Sequence, residues 1–101
     1  MTNPEIYTGT VGAEVEIATG TDLVTGVTAV TIAVRRPDGT VTAWEPDSVD
    51  VIGVVVYTTV AGDLDQGGTY TLQPVVTYSN GEVWPLGAVA WPIVPRFQRT
   101  P

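Results

Sequence analysis

Apolar and polar residues alternate along most of the chain. Over residues 13–17, apolar side chains alternate with Glu14 and Glu16, which places the acidic pair on the solvent face of a half-buried strand. The same period of two recurs over residues 30–35 and 70–78. Because successive side chains of a strand point to opposite faces of a sheet, the pattern predicts strands with few or no helices.

Turn signals separate these segments. Pro37-Asp38-Gly39 predicts a tight turn, since proline presets the first corner and glycine accepts the positive φ that a reversal needs. Asn80-Gly81 predicts a hairpin. Residues 51–59 are apolar on both faces, so this strand is either fully covered or exposes a face that docks on another molecule. With a short first strand over residues 5–8, the spacing predicts about seven strands in two antiparallel sheets.

Composition supports strands throughout. The 101 residues include 18 Val and 16 Thr but only 4 Leu, and β-branched side chains pack well on a pleated surface. Pro74 and Pro85 interrupt strand patterns, which predicts a bulge or an edge position with ladder bonds lost. Three prolines from Pro92 onward predict that the chain leaves the sheet, because proline cannot donate to a ladder. The predicted domain covers residues 1–92, and residues 93–101 form an extended C-terminal arm.

One spacing indicates the kind of sandwich. Leu64 precedes Tyr70 by six residues across an acidic, glycine-rich turn, as in the tyrosine corner of immunoglobulin-like domains. There the tyrosine hydroxyl ties the connection to backbone a few residues upstream, so Leu64 and Tyr70 are predicted to form a structural corner. The predicted fold class is an all-β, immunoglobulin-like β-sandwich of about seven antiparallel strands with an extended C-terminal arm.

Charge and missing residue types exclude several functions. The chain has no Cys and no His, which excludes a disulfide framework and thiolate chemistry and removes the commonest general base. Eleven acidic residues against four arginines give a net charge of −7, so nucleic acid and anionic membranes are not predicted partners. The N-terminus lacks the pattern of a secretory signal, and we expect synthesis in the cytoplasm.

Carboxylates offer two further chemistries, a calcium site and a glycosidase pair. The aspartates at positions 47, 50, 63 and 65 match no known calcium loop in their spacing. Pairs such as Glu14 with Glu16 lie on an open sheet face, which provides no cleft for glycosidase chemistry. The chain is therefore predicted to be no enzyme and to hold no cofactor or metal.

Large aromatic and cationic side chains are the candidates for contacts with other proteins. Trp84 is predicted at the core or an edge, and Trp91 with Phe97 at an interface, where tryptophan is enriched. Arg96 and Arg99 flank Phe97, so this cationic segment could seat in an acidic groove of a neighbouring copy. The predicted interface residues are Val55, Tyr57, Trp91, Ile93, Arg96, Phe97 and Arg99.

Residues 6–92 resemble small immunoglobulin-like virion proteins of tailed bacteriophages, and are similar to the N-terminal domain of the upper baseplate protein family. The resemblance rests on turn and core signatures: Ile6-Tyr7-Thr8-Gly9-Thr10, Arg36-Pro37-Asp38-Gly39-Thr40-Val41, Trp44, Tyr57, Gly62-Asp63-Leu64-Asp65-Gln66-Gly67-Gly68-Thr69-Tyr70 and Asn80-Gly81. It implies a structural virion component without catalysis or cofactor.

This resemblance leads to the hypothesis of a capsid decoration, or cement, protein that stabilises the assembled shell. The expected partners are the major capsid protein or other virion subunits, with self-association in the particle and localisation in the virion. The alternative is a tail, neck or baseplate subunit with a role in host adsorption, contacting glycans through tryptophan faces. A cell-surface adhesion module is a third reading.

Overall fold

The computed structural model describes residues 6–94, in which eight strands form two antiparallel sheets. The strands are β1 (Glu14–Ala18), β2 (Val27–Arg35), β3 (Val41–Trp44), β4 (Ser48–Val49), β5 (Val54–Thr58), β6 (Gly68–Tyr78), β7 (Val83–Pro85) and β8 (Val89–Ile93). The smaller sheet has the order β1-β5-β4. The larger sheet begins with the order β3-β2-β6. The other edge of β6 pairs with β7 over residues 75–77 and with β8 over residues 68–72. The prediction of an all-β sandwich is confirmed.

The core lies between the inner faces of the two sheets. Tyr70, Leu72 and Val76 alternate along β6 and are fully buried, as are Ile32 and Val34 on β2. The remaining buried apolar residues come from both sheets and their connections: Ala13, Ile17, Leu23, Trp44, Val55, Tyr57, Leu64 and Ile93. Residues 6–94 include no helix that is long and apolar enough to cross a membrane.

The structure corrects the expected contact surface on β5. Val55 and Tyr57 are 0% and 7% exposed and belong to the core, so they are not surface contact residues. Their neighbours Val54 and Val56 alternate with them and are half-buried on the outer face. This strand is therefore apolar on both sides because its inner face fills the core and its outer face is half-covered.

The two predicted turns close hairpins of the same form. In the β2–β3 turn the Arg36 N–H donates to the Thr40 carbonyl at 2.8 Å, and in the β6–β7 turn the Tyr78 N–H donates to the Glu82 carbonyl at 2.8 Å. The glycine before each closing residue has a φ near +90°. A type I turn followed by a left-handed glycine has this arrangement, so glycine is required there. Both hairpin predictions are confirmed.

Pro74 lies in the middle of β6 without disturbing its pairing with β2. It faces Ile32 in regular register, and its carbonyl accepts the Leu86 N–H at 2.8 Å on the other side. Backbone N and carbonyl of one strand residue point the same way, so the missing N–H of Pro74 also faces Leu86. The predicted bulge lies instead between β7 and β8, which pair with β6. Val75 pairs with Pro85 and Leu72 pairs with Val89, so the β7–β8 segment advances four residues where β6 advances three.

The chain stays in the sheet beyond Pro92, in contrast to the expected exit. Pro92 of β8 pairs with Thr69 of β6, and among the strands of residues 6–94 β8 pairs with β6 alone. Edge strands tolerate proline. Ile93 is 2% exposed, and Val94 forms a parallel bridge with Tyr7 in place of the expected first strand. The predicted arm residues Arg96, Phe97 and Arg99 lie outside the described residues.

Candidate functional site

A groove of about 480 Å³ opens at one end of the sandwich. Its size falls within the range of small-ligand sites in proteins. Two aromatic rings and one carboxylate contribute to its walls. The lining residues are Thr21, Gly26, Tyr78, Ser79, Asn80, Glu82, Trp84 and Leu86.

Trp84 gives the groove its apolar face. It pairs with Val76 across β6 and β7, and directly opposed residues of a sheet project from the same face. Val76 is fully buried, whereas Trp84 is 56% exposed. Strands of the smaller sheet have two to five residues and β6 has 11, so the larger sheet extends past its cover. Trp84 therefore lies on an inner sheet face that the smaller sheet does not cover.

The β6–β7 hairpin holds the indole in place. The Trp84 Nε1–H donates to Glu82 Oε1 at 3.1 Å, and the Glu82 N–H donates to Asn80 Oδ1 at 3.0 Å. The Ser79 N–H donates to the Gly26 carbonyl at 2.9 Å, which ties the hairpin to the β1–β2 connection. The face of the indole remains open while its N–H is occupied.

The Thr21 wall is positioned by close packing on Gly53. A Cβ at Gly53 would lie 2.7 Å from both the backbone N and O of Thr21, so only glycine fits. Thr19 Oγ1 donates to the Gly53 carbonyl at 2.8 Å and accepts the Thr21 N–H at 3.2 Å. Thr21 thus has a fixed position in the lining of the groove.

The charge of the groove is negative. Glu82 is the charged residue among those that line it. Arg35 pairs with Thr71 near the far end of β2, eight residues from Val27, which pairs with Tyr78 at the groove. At 3.4 Å per residue this separation is roughly 27 Å, beyond a Debye length in physiological salt. The arginine at position 35 therefore does not neutralise the groove.

Trp91 and Ile93, two predicted interface residues, pack on the core. Ile93 is buried, and Trp91 is half-buried with its ring edge-on to Trp44 at 6.4 Å between centroids. Trp44 also stacks on Tyr57 at 4.7 Å. Trp91 thus completes an aromatic cluster at the opposite side of the core from the groove lining.

Leu64 and Tyr70 form a tie between the connection and the core. The Tyr70 hydroxyl accepts the Gln66 N–H at 3.1 Å, and both Leu64 and Tyr70 are buried. The side chain of Gln66 also forms two hydrogen bonds with Asp38. Its Oε1 accepts the backbone N–H of Asp38 at 3.1 Å, and its Nε2 donates to Asp38 Oδ2 at 3.0 Å. The connection is thereby fixed to the β2–β3 turn.

Most aspartates of the loops accept backbone hydrogen bonds. Asp47 accepts the Thr58 N–H, Asp50 accepts the N–H groups of Gly53 and Val54, and Asp63 accepts the Val60 N–H, all at 2.7–2.9 Å. Within residues 6–94 there is no group of three His, Cys, Asp or Glu side chains that could hold a metal ion. These carboxylates act as loop caps in the structure.

Among the titratable groups of residues 6–94, hydrogen bonds and burial shift four pKa values. The Thr25 backbone N–H lowers the pKa of Asp22, and the Thr40 hydroxyl lowers the pKa of Asp38. Burial, together with the 2.5 Å hydrogen bond to Asp63, raises the pKa of Tyr57 well above its ordinary value. Burial also raises the pKa of Tyr70. None of these groups lines the groove.

Sequence reasoning placed Trp84 at the core or an edge but did not identify the groove. Glu82, Trp84 and Leu86 alternate along the β7 segment, so their spacing indicates a shared face. Thr21 and Gly26 come from the β1–β2 connection, and no spacing in the sequence indicates that they meet this face. The available signal was a tryptophan close to the Asn80-Gly81 hairpin.

Comparison with known proteins shows the fold alone. No protein-family model matches the chain, and no curated protein matches it. CopC from Methylosinus trichosporium OB3b has a similar solved structure, with a TM-score of 0.56, 14% identity, and coverage of 97% of this chain and 91% of CopC.

This finding overturns the predicted role in a phage particle. A similar fold occurs in CopC, which points away from the capsid-decoration hypothesis and from its tail, neck or baseplate alternative. The turn and core signatures behind that hypothesis specify a sandwich, and sandwiches of this architecture serve many functions. The prediction of a structural virion role was therefore wrong, although the predicted fold was right.

Proposed function

We propose that this chain is a non-catalytic protein-binding module that holds a segment of a partner polypeptide in the Trp84 groove. The observation that carries the proposal is the 56% exposed indole on an inner sheet face, held by its own hydrogen bond to Glu82. Tryptophan is one of the residue types enriched at the few positions that dominate binding energy at protein interfaces.

The groove supports binding better than catalysis. Its polar lining consists of the Glu82 carboxylate, the Tyr78 phenol, one amide and hydroxyl groups. The chain contains no His, Cys or Lys that could serve beside them as a base or nucleophile. The apolar lining of Tyr78, Trp84 and Leu86 provides the desolvated centre that an interface hot spot needs.

A displayed peptide library selected on the wild-type protein, with counter-selection on Trp84→Ala, tests the function. We expect enriched peptides to bind the wild type and to lose about tenfold or more in affinity on Trp84→Ala. Val83→Ala is the matched control, because Val83 is 58% exposed on the same strand and faces away from the groove. Peptides that bind Trp84→Ala as well as wild type would disprove the assignment of the groove.

Oligosaccharides are the competing ligand class, since sugars also stack on exposed indole faces. A panel of neutral oligosaccharides should leave the indole N–H resonance of Trp84 unchanged in two-dimensional NMR spectra. Trp84-dependent sugar binding, with no peptide enriched, would replace the proposed protein-binding function by a glycan-binding one.

A further inference from the structure

We infer that the groove selects a basic partner segment and seats an Arg or Lys side chain against the face of Trp84. This inference rests on the proposed function and names the chemistry of the partner. It follows from the position of Glu82, the state of the indole N–H and the charge of the whole chain.

The first step concerns the indole. Its Nε1–H is donated to Glu82 Oε1 at 3.1 Å, so the ring offers its π face rather than its donor to a ligand. A cation over the face of tryptophan is attracted by the ring quadrupole, with a typical strength of about 0.5–2 kcal/mol. The Glu82 carboxylate at the ring edge adds negative charge next to this face.

The second step concerns Glu82. Its Oε1 accepts the indole N–H, and Oε2 accepts no hydrogen bond from the described residues. A guanidinium or ammonium group on the indole face would lie beside this carboxylate and form an ion pair with it. The groove thus offers two complementary sites for one cation.

The third step concerns long-range charge. The chain carries −7 in total, and Arg35 lies roughly 27 Å from the groove along β2. This field attracts basic segments and repels acidic ones, which affects association rate and specificity. Neutral sugars gain nothing from it, so charge complementarity favours a basic polypeptide.

NMR titration with three matched peptides tests the inference. The peptides share one glycine- and serine-rich sequence and differ at one central residue: arginine, its neutral isostere citrulline, or glutamate. We expect the arginine peptide to shift the Trp84 indole N–H resonance and to bind more weakly as ionic strength rises. The citrulline peptide should bind several-fold more weakly, and the glutamate peptide should not bind.

Two charge variants separate local from general electrostatics. Glu82→Gln keeps an oxygen that accepts the indole N–H but removes the charge, and should weaken the arginine peptide about threefold to fivefold. Glu16→Gln makes the same change in net charge on the exposed outer face of β1, and should leave the affinity within about twofold. Equal effects of the two variants would overturn the inference.

The outcomes also distinguish this inference from the proposed function. Citrulline or glutamate peptides that bind through Trp84 as tightly as the arginine peptide would end the basic-segment inference and leave the protein-binding function standing. Failure of all three peptides overturns the inference, and failure of the peptide library as well ends the proposed function.

Discussion

Gly53 and Gly81 share a left-handed backbone but have different surroundings. Their φ angles are +99° and +90°, yet a Cβ at Gly53 would lie 2.7 Å from Thr21 backbone atoms whereas one at Gly81 would meet nothing within 4 Å. Gly81→Ala should therefore lower the free energy of unfolding by about 1 kcal/mol through backbone strain alone. Gly53→Ala should lower it by about 3 kcal/mol or more, because the Thr21 segment must move. Urea denaturation of both variants measures the difference.

The same pair of variants also probes the groove. Displacement of Thr21 should change the Trp84 indole N–H resonance in Gly53→Ala, because Thr21 lines the groove. Similar losses of stability in the two variants would contradict the steric account and leave only the shared φ as the cause.

At the level of strands, Gln73 compensates for the missing N–H of Pro74. Leu86 follows Pro85 and lies opposite Pro74. A residue other than proline at position 74 would donate its backbone N–H to the Leu86 carbonyl. That carbonyl instead accepts a hydrogen bond from Gln73 Nε2 at 2.9 Å. Gln73→Ala should lower the free energy of unfolding by about 1 kcal/mol in the wild type. In a Pro74→Ala background the same change should cost much less, because the alanine that replaces the proline supplies the backbone donor. Urea denaturation of the four proteins gives the coupling free energy.

The size of that coupling decides the outcome. A coupling of about 1 kcal/mol supports the substitution of a side-chain amide for a backbone donor. Additive effects would show that Leu86 and Gln73 contribute to stability independently of the proline. The cost of losing the buried proline ring is present in both Pro74→Ala proteins and cancels from the cycle.

Strands could be predicted from the sequence where apolar and polar residues alternate. They could not be predicted where contacts with distant parts of the chain determine whether a segment forms a strand. The alternation over residues 13–17 and 70–78 anticipated β1 and β6. The two-residue strand β4 has no alternation of its own in the sequence. It depends on β5, whose Val56 carbonyl accepts the Asp47 N–H at 2.8 Å. Pro92 likewise stays in β8, where within residues 6–94 it pairs with β6 on one side alone, and local sequence does not reveal this edge position.

At the scale of the whole molecule, the fold followed from pattern and the function did not. The turn glycines and the spacing of Leu64 and Tyr70 indicate a β-sandwich but not a function. CopC has a similar sandwich although it shares only 14% sequence identity with this chain. The groove arises because one sheet is longer than the other, and this mismatch has no signature at any single position. A groove created by an uncovered part of a sheet therefore could not be predicted without the structure.

Composition makes a prediction for the molecule as a whole, a stability that is nearly constant across neutral pH. The chain contains no His, Lys or Cys side chains to titrate between the carboxyls near pH 4 and the tyrosines near pH 10. Hydrogen bonds lower the pKa values of Asp22 and Asp38, while burial raises those of Tyr57 and Tyr70. The limits of stability should therefore come from these two sets of groups.

The sign at each limit follows from proton linkage. A carboxyl with a lowered pKa in the folded state stabilises above its unfolded pKa, and this contribution is lost as pH falls through the folded value. A tyrosine with a raised pKa stabilises below its unfolded pKa of about 10, and this contribution is lost as pH rises toward the folded value. Urea midpoints should thus stay level from about pH 5 to pH 9 and fall on both sides.

Two variants assign the limits to residues. Asp38→Asn should make the acid fall shallower, because an amide keeps an oxygen for Thr40 without titrating. Tyr57→Phe removes the hydrogen bond to Asp63, so it should lower stability at neutral pH and also flatten the alkaline fall. A titration step inside the neutral range, or an alkaline fall unchanged in Tyr57→Phe, would contradict the assignment. Since Tyr57 stacks on Trp44, the near-ultraviolet circular dichroism of this pair reports the alkaline transition directly.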